Sequence, residues 1–273
     1  MGDLVRYRME RGVAWVTLDS PANRNALSRQ LIAELHDALD AAEAAEARAI
    51  VLGHTGTTFC AGADLKERSD GPVDSTPMVR ALQRLSDGPI PSIAAVDGAV
   101  RAGGIGLMAS CDLVVVQSST TFAFTEVRIG VAAAIISVPI LARVNPSLLA
   151  APFLTGESFG AADARAMGLV THVTDDVITT VDHLVAGLLE GAPAAVAATK
   201  ALLRRVPTLP RAEAYAEMQQ LSEALFQGPD AAEGMAAFRE KRRPAWAAAP
   251  PAAPAAPAPS AAETPSAAEK GVG

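Results

Sequence analysis

A basic surplus is the first thing this chain lacks. Its 23 Lys and Arg stand against 30 Asp and Glu, leaving a formal net charge of −7. Nucleic acid and anionic membranes both want a basic face, so neither is an expected partner. Cysteine is nearly absent as well: Cys60 and Cys111 are too few for a disulfide framework, and a reducing cytoplasm is the expected setting. His36, His54, His172 and His183 fall at no metal-ligand spacing, so no metal is expected. Long apolar runs are missing too. Within 1–246 the longest uncharged stretch lies between Arg128 and Arg143, fourteen residues with Pro139 among them. A membrane-spanning helix needs roughly twenty. Met1–Arg6 carries neither a secretory apolar stretch nor the Ser or Thr of a myristoylation signal. The expectation is a soluble, intracellular protein.

Apolar and small residues are what the chain has in quantity. Half of its 273 residues are hydrophobic, enough to build the core of one generous domain or two small ones. The last segment, 247–273, differs in composition: twelve of its 27 residues are Ala and six are Pro. Repeated proline forbids a helix, so a disordered or polyproline-like tail is expected there. Upstream, strand-like and helix-like stretches alternate. Val13–Asp19 is β-branched and apolar, and similar runs follow at Arg48–His54, Ser92–Asp97 and Asp112–Gln117. Between them lie a helix capped by Ser28 with Leu27, Leu31, Leu35 and Leu39 on one stripe, another around Met78–Ser86, and a short one at Gly104–Ser110. Thr55–Ala63 reads as a loop. Such alternation predicts an α/β domain with buried, largely parallel sheets. After Gly191 the texture changes to three helices, Pro193–Arg205, Arg211–Phe226 and Pro229–Arg242, whose apolar faces suggest packing against a larger body.

Two loops invite chemistry. Thr58-Phe-Cys-Ala-Gly-Ala-Asp-Leu65 and Arg101-Ala-Gly-Gly-Ile-Gly106 each place small residues just past a strand end, where open α/β folds present backbone N–H groups to ligands. Glycine and alanine let a ligand approach the main chain, and a helix starting near Gly104 favours negative charge. Taken alone, the second loop reads first as a tight turn. It is not a P-loop, since no Gly-Lys-Ser/Thr follows, and its third dinucleotide-type glycine is absent. Cys60 reads as a small packed residue rather than a nucleophile, and His54 as a strand-end residue.

Together, Phe59–Leu65, Ala102-Gly-Gly-Ile-Gly-Leu107, Cys111-Asp112, Phe124-Thr-Glu-Val-Arg-Ile-Gly130, Asn23–Ser28 and Glu233–Lys241 resemble the enoyl-CoA hydratase/isomerase (crotonase) family, in order and over about residues 5–246. The resemblance implies a spiral of ββα repeats over 1–190 holding an acyl-CoA site. It also implies a helical oligomerisation region over 191–246, giving homotrimers or dimers of trimers, and lipid metabolism as the setting. It puts the oxyanion-hole N–H groups on Ala63 and Gly103. Substrate-binding positions carry over to Arg24, Ala26, Leu27, Ala61, Asp64, Leu65, Gly104, Gly106 and Thr125. Phe238 and Lys241 match positions that approach the coenzyme A of a neighbouring subunit. The coenzyme A thioester is the substrate, and no separate cofactor is implied.

One departure stands out. Hydratases of this family typically use two glutamates. The second carries over to Glu126, whereas the first position is Gly106. A general acid–base group commonly contributes 10²–10⁴-fold, roughly 3–5 kcal/mol, so its loss must change the mechanism. Glu126 working alone as a hydratase base is the leading reading, as in single-glutamate, methylglutaconyl-CoA-hydratase-like members. Two alternatives remain: a Δ3,Δ2-enoyl-CoA isomerase and a non-catalytic acyl-CoA binder. Read without the family, Glu126 is a solvated carboxylate or an ion-pair partner of Arg128. Val131–Ser137 predicts a tight, apolar helix start that reshapes the acyl end of the pocket. Arg101 is read as a surface or interface charge, with a carboxylated acyl chain as its other use.

Overall fold

The computed structural model describes residues 3–68 and 74–247. The expectation of a tail over 247–273 therefore lies outside the described residues, apart from Ala247. The chain opens with a hairpin that the hydrophobic pattern does not reveal. β1 (Val5–Glu10) is largely polar, and it pairs antiparallel with β2 (Val13–Leu18) through a two-residue turn at Arg11 and Gly12. Both turn residues have positive φ, 51° and 79°, the twist that tight hairpins favour.

From there the chain winds through a repeated unit: a strand in a large sheet, a short strand in a second sheet, then helix. α1 (Arg29–Ala44) precedes the first full turn, its N-terminus capped by Ser28 Oγ, which accepts the Leu31 N–H at 3.1 Å. The first turn runs β3 (Ala49–His54), β4 (Thr58–Cys60), α2 (Leu65–Arg68) and α3 (Thr76–Asp87). The second is β5 (Ser92–Val96), β6 (Ala99–Arg101) and α4 (Gly103–Ser110). The third is β7 (Leu113–Gln117), β8 (Thr121–Ala123) and, after a 3-10 turn at Glu126–Ile129, α5 (Ala134–Leu141). α6 (Pro146–Thr155), β9 (Ser158–Gly160), α7 (Ala161–Ala166) and β10 (His172–Thr174) close the spiral.

The large sheet has the order β1-β2-β3-β5-β7-β10, parallel except for the first pair; the small one has β4-β6-β8-β9, antiparallel only at its last pair. Alternation along the large strands divides two cores. Ile50, Leu52, Val114 and Val116 face α1 and α3, while Ala49, Val51, Ile93 and Val115 face Val181, Val185 and Leu189 of α8 (Val177–Glu190). Burial on both faces explains why these strands read as unbroken apolar runs. β4, β6, β8, β9 and β10 have only three residues each, too short for a period, which is why Thr55–Ala63 reads as loop although it contains β4.

Three helices follow: α9 (Pro193–Arg205), α10 (Arg211–Phe226) and α11 (Pro229–Glu240). α9 is tied to the core by Lys200. Its buried Nζ donates to Leu85 O and Ile90 O, both at 2.8 Å, and pairs with Asp112 at 2.9 Å. By contrast α10 buries no residue, α11 buries only Ala237, and Tyr215, Phe226, Met235 and Phe238 are exposed. Among the described residues, no single helix is long and apolar enough to cross a membrane.

Candidate active site

β4, β6 and β8 are adjacent in the small sheet and run parallel, so their carboxyl ends open on one edge. Ala63, Gly103 and Glu126 each follow one of those ends within three residues. The topology thus converges three separate stretches of sequence where α/β folds place ligands.

Backbone geometry aims the first two. Leu27 and Ala63 form an isolated parallel bridge, in which Leu27 N–H donates to Gly62 O at 2.7 Å and Asp64 N–H to Leu27 O at 3.3 Å. In a parallel bridge these bonds belong to the neighbours of Ala63, so its own N–H faces the other way. Gly103 is the first residue of α4, where N–H groups have no partner within the helix. Neither N–H donates to any acceptor among the described residues. The two loops are packed backbone on backbone: a Cβ added to Gly62 would lie 3.5 Å from Gly103 N, and one added to Gly103 would lie 3.9 Å from Ala63 N.

The hinge between them is Ala102, at φ 47° and ψ −122°. Such values suit glycine, and a residue with a Cβ keeps them only when its surroundings hold it there. Two contacts do so. Ala102 N–H donates to Ala123 O at 3.0 Å, and its Cβ sits against Gly62, where an added Cβ would approach to 2.7 Å. The ψ of Ala102 sets the direction of the next peptide, and hence of the Gly103 N–H.

Glu126 opens the 3-10 turn after β8, two residues beyond Phe124, whose ring meets Phe153 at a tilt with 4.1 Å between centroids. The carboxylate is half-buried. Its Oε2 is fully buried and has no hydrogen-bond partner. Burial pushes its pKa above the ordinary glutamate value, with its own backbone N–H opposing in part. The ion-pair reading with Arg128 is corrected here: Arg128 Nε donates instead to Thr155 O at 3.3 Å. A half-buried carboxylate with one oxygen left unpaired is the kind of perturbed group from which functional-site candidates are drawn.

Position 106 presents no side chain, and the fold leaves no room for one. A Cβ on Gly106 would meet Ile136 Cγ2 at 2.3 Å, its Cβ at 2.5 Å and its Cα at 3.2 Å. α5 therefore lies directly against α4, carrying the apolar start expected of Val131–Ser137. Gly104 is similarly closed, with Cys60 Cβ 2.6 Å from where its Cβ would be.

Among the remaining carried-over positions, Arg24, Ala26, Leu27, Ala61, Asp64 and Leu65 come together. Ala61 N–H donates to Arg24 O at 3.0 Å, beside the Leu27 bridge. Thr125 is the residue before the 3-10 turn of Glu126. Phe238 and Lys241 are at the end of α11, Phe238 86% exposed. Arg101 is more than a surface charge: its guanidinium donates to Thr121 O at 2.6 Å and Thr121 Oγ1 at 2.9 Å, clamping β6 to β8. Cys60 is the inert packed thiol expected, pushed up to about 12 by complete burial. His54 ends β3, its Nε2 accepts the Asp97 N–H at 3.0 Å, and burial lowers its pKa. Asn25 was not singled out by sequence reasoning. Fully buried at positive φ, it accepts from Ser20 N–H at 2.7 Å and donates to Thr55 O and Thr58 O at 3.1 and 2.8 Å. Its signal was an Asn four residues after Pro21, a turn-former whose buried partners Thr55 and Thr58 are remote in sequence. Among the described residues no group of His, Cys, Asp and Glu could hold a metal. A cavity of about 890 Å³ lies elsewhere, between α3, α5 and α9, and includes none of Ala63, Gly103 or Glu126.

Comparison with known proteins covers nearly the whole chain. The family model for enoyl-CoA hydratase/isomerase matches residues 8–249. The mevalonyl-coenzyme A hydratase sidH of Aspergillus fumigatus is 35% identical, covering 85% of this chain and 90% of that protein. The 2,3-dehydroadipyl-CoA hydratase of Escherichia coli is 33% identical, covering 89% and 98%. The crystal structure of an enoyl-CoA hydratase from Mycobacterium smegmatis superposes with a TM-score of 0.82 at 33% identity, covering 89% of this chain and 98% of that one.

Proposed function

The chain belongs to the enoyl-CoA hydratase/isomerase family, and from that premise we propose that it hydrates a 2-enoyl-CoA with a single carboxylate, Glu126. The observation that carries this reading is the buried, unpaired Oε2 of Glu126 at the strand edge it shares with two free N–H groups. The thioester oxygen accepts from Ala63 N–H and Gly103 N–H. As a water oxygen attacks the β-carbon, the Glu126 carboxylate takes one of its protons and electron density moves to the thioester oxygen. There the fixed donors stabilise it, by about 3–4 kcal/mol per donor in comparable sites. Glu126 then returns the same proton to the α-carbon, and the carboxylate is regenerated.

A second reading is favoured by Gly106. With Ile136 where a side chain would extend, no second protic group adjoins α4 at that point. A proton shuttle between the α- and γ-carbons, which moves the double bond of a 3-enoyl-CoA, needs only one base. In a third reading the site binds acyl-CoA without turnover. The exposed apolar residues of α10 and α11 support a homotrimer or dimer of trimers, with Phe238 and Lys241 reaching a neighbour's coenzyme A.

Incubation in D₂O with 2-enoyl- and 3-enoyl-CoA esters, followed by mass spectrometry, tests these readings. Addition of water with deuterium at the α-carbon is the expected result. Double-bond migration without added water makes the protein an isomerase, and saturable binding without exchange makes it a binder.

A further inference from the structure

The cavity between α3, α5 and α9 has a chemistry of its own. Its walls are apolar: Leu82 of α3, Val138 of α5 and Leu203 of α9 line it, the latter two 73% and 68% exposed. At about 890 Å³ it falls in the size range of small-molecule sites. Its polar end is crowded with cations. Lys200 and Arg204 pair with the Asp112 carboxylate, and Arg143 reaches the backbone carbonyl of the same residue. Lys200 Nζ is consumed by Asp112 and two carbonyls. The guanidiniums are not: each uses one terminal nitrogen. That of Arg204 reaches Asp112 Oδ1 at 3.3 Å and Ser110 O at 3.4 Å, and that of Arg143 reaches Cys111 O and, at 3.2 Å, Asp112 O. Asp87 also lines the cavity, accepting from Ser86 Oγ at 2.8 Å, so three cations face two acids. Burial pushes the Arg143 pKa down, and repulsion from the nearby Arg204 charge adds to the effect. An arriving anion would relieve that repulsion while using the fork geometry in which arginine excels.

We propose that this groove binds an apolar chain ending in a carboxylate, with Arg143 and Arg204 taking the carboxylate and Leu82, Val138 and Leu203 the chain. The carboxylate belongs either to a free acid or to the far end of a dicarboxylic acyl group. The probes are decanoate and decanamide, titrated calorimetrically into the full-length protein. Decanoate should bind saturably and decanamide at least about tenfold more weakly, the scale of a lost charged hydrogen bond. Arg204→Gln and, separately, Val138→Asp should each weaken decanoate by at least about tenfold with the circular dichroism spectrum unchanged. Decanoate raising the KM for acyl-CoA would assign the site to the acyl chain's far end, and an unchanged KM would assign it to a free acid. Equal binding of acid and amide overturns the proposal, as does indifference to both substitutions. Absence of decanoate heat, together with a change in oligomer mass for Arg204→Gln, makes the groove an interface between copies and equally overturns it.

Discussion

Glu126 combines a chemical advantage with a folding cost. Its unpaired, buried oxygen holds a proton more tightly than an ordinary glutamate, which suits a base that must also give the proton back. The same burial disfavours the ionised form in the folded state. A carboxyl with a raised folded pKa contributes stability that is present below its unfolded pKa and lost as pH rises through the folded value. Glu126→Gln should therefore cost 10²-fold or more in turnover, by steady-state kinetics, while the melting temperature at neutral pH stays level or rises. In the native protein, activity should fall as pH drops through a midpoint displaced above the ordinary glutamate range. A pH profile with its acid limb at or below that range would count against Glu126 as the base. Gly106 makes a sharper stereochemical demand. Gly106→Ala places a methyl within bonding reach of Ile136, and such overpacking typically costs about 1–3 kcal/mol, readable as a lower urea midpoint. Shortening Ile136 to Ala should recover only part, because its Cβ and Cα remain in the way.

At the scale of elements, the site depends on loops held by buried polar bonds. Asn25→Ala would strand Ser20 N–H and two carbonyls at the entrance to β4, and each unsatisfied buried group costs about 1–3 kcal/mol. The expected outcome is a destabilised protein whose Ala61–Leu65 amides exchange faster with deuterium. The difference between Ser28 and Asn25 shows what the sequence makes legible. Ser28 bonds to a residue three along the chain, so its role can be read locally, as can the leucine stripe behind it. Asn25 bonds across 30 and 33 residues, and no periodicity records that. Apart from the polar β1, the long strands and α9 to α11 were readable from apolar runs and proline starts. The three-residue strands that aim Ala63, Gly103 and Glu126 were not, because three residues cannot express a period. The family resemblance supplied those positions, and the backbone explains them. It does not supply Ala102, whose strain is visible only in its dihedral angles.

For the whole molecule, the join between spiral and terminal helices rests on few points. Lys200 is one, since its ammonium closes off one carbonyl in the last turn of α3, one after it and one carboxylate before β7. Lys200→Ala leaves Asp112 with Arg204 and Ser92, and Leu85 O with Ser92 Oγ at 3.4 Å, but strands Ile90 O, and removing a partner from a buried pair typically costs about 3–5 kcal/mol. Hydrogen exchange should show α9 loosened first, ahead of the central strands. Equal protection of both would place the anchorage elsewhere. The contact between Ile136 and Gly106 has a consequence of another kind, for the order in which changes can accumulate. Once α5 rests on a bare α4 backbone, an acidic residue at 106 is penalised before it can serve as a base. The helix must withdraw first, and withdrawal alone gains nothing. A lineage that reaches this packing has closed its shortest road back to a second carboxylate.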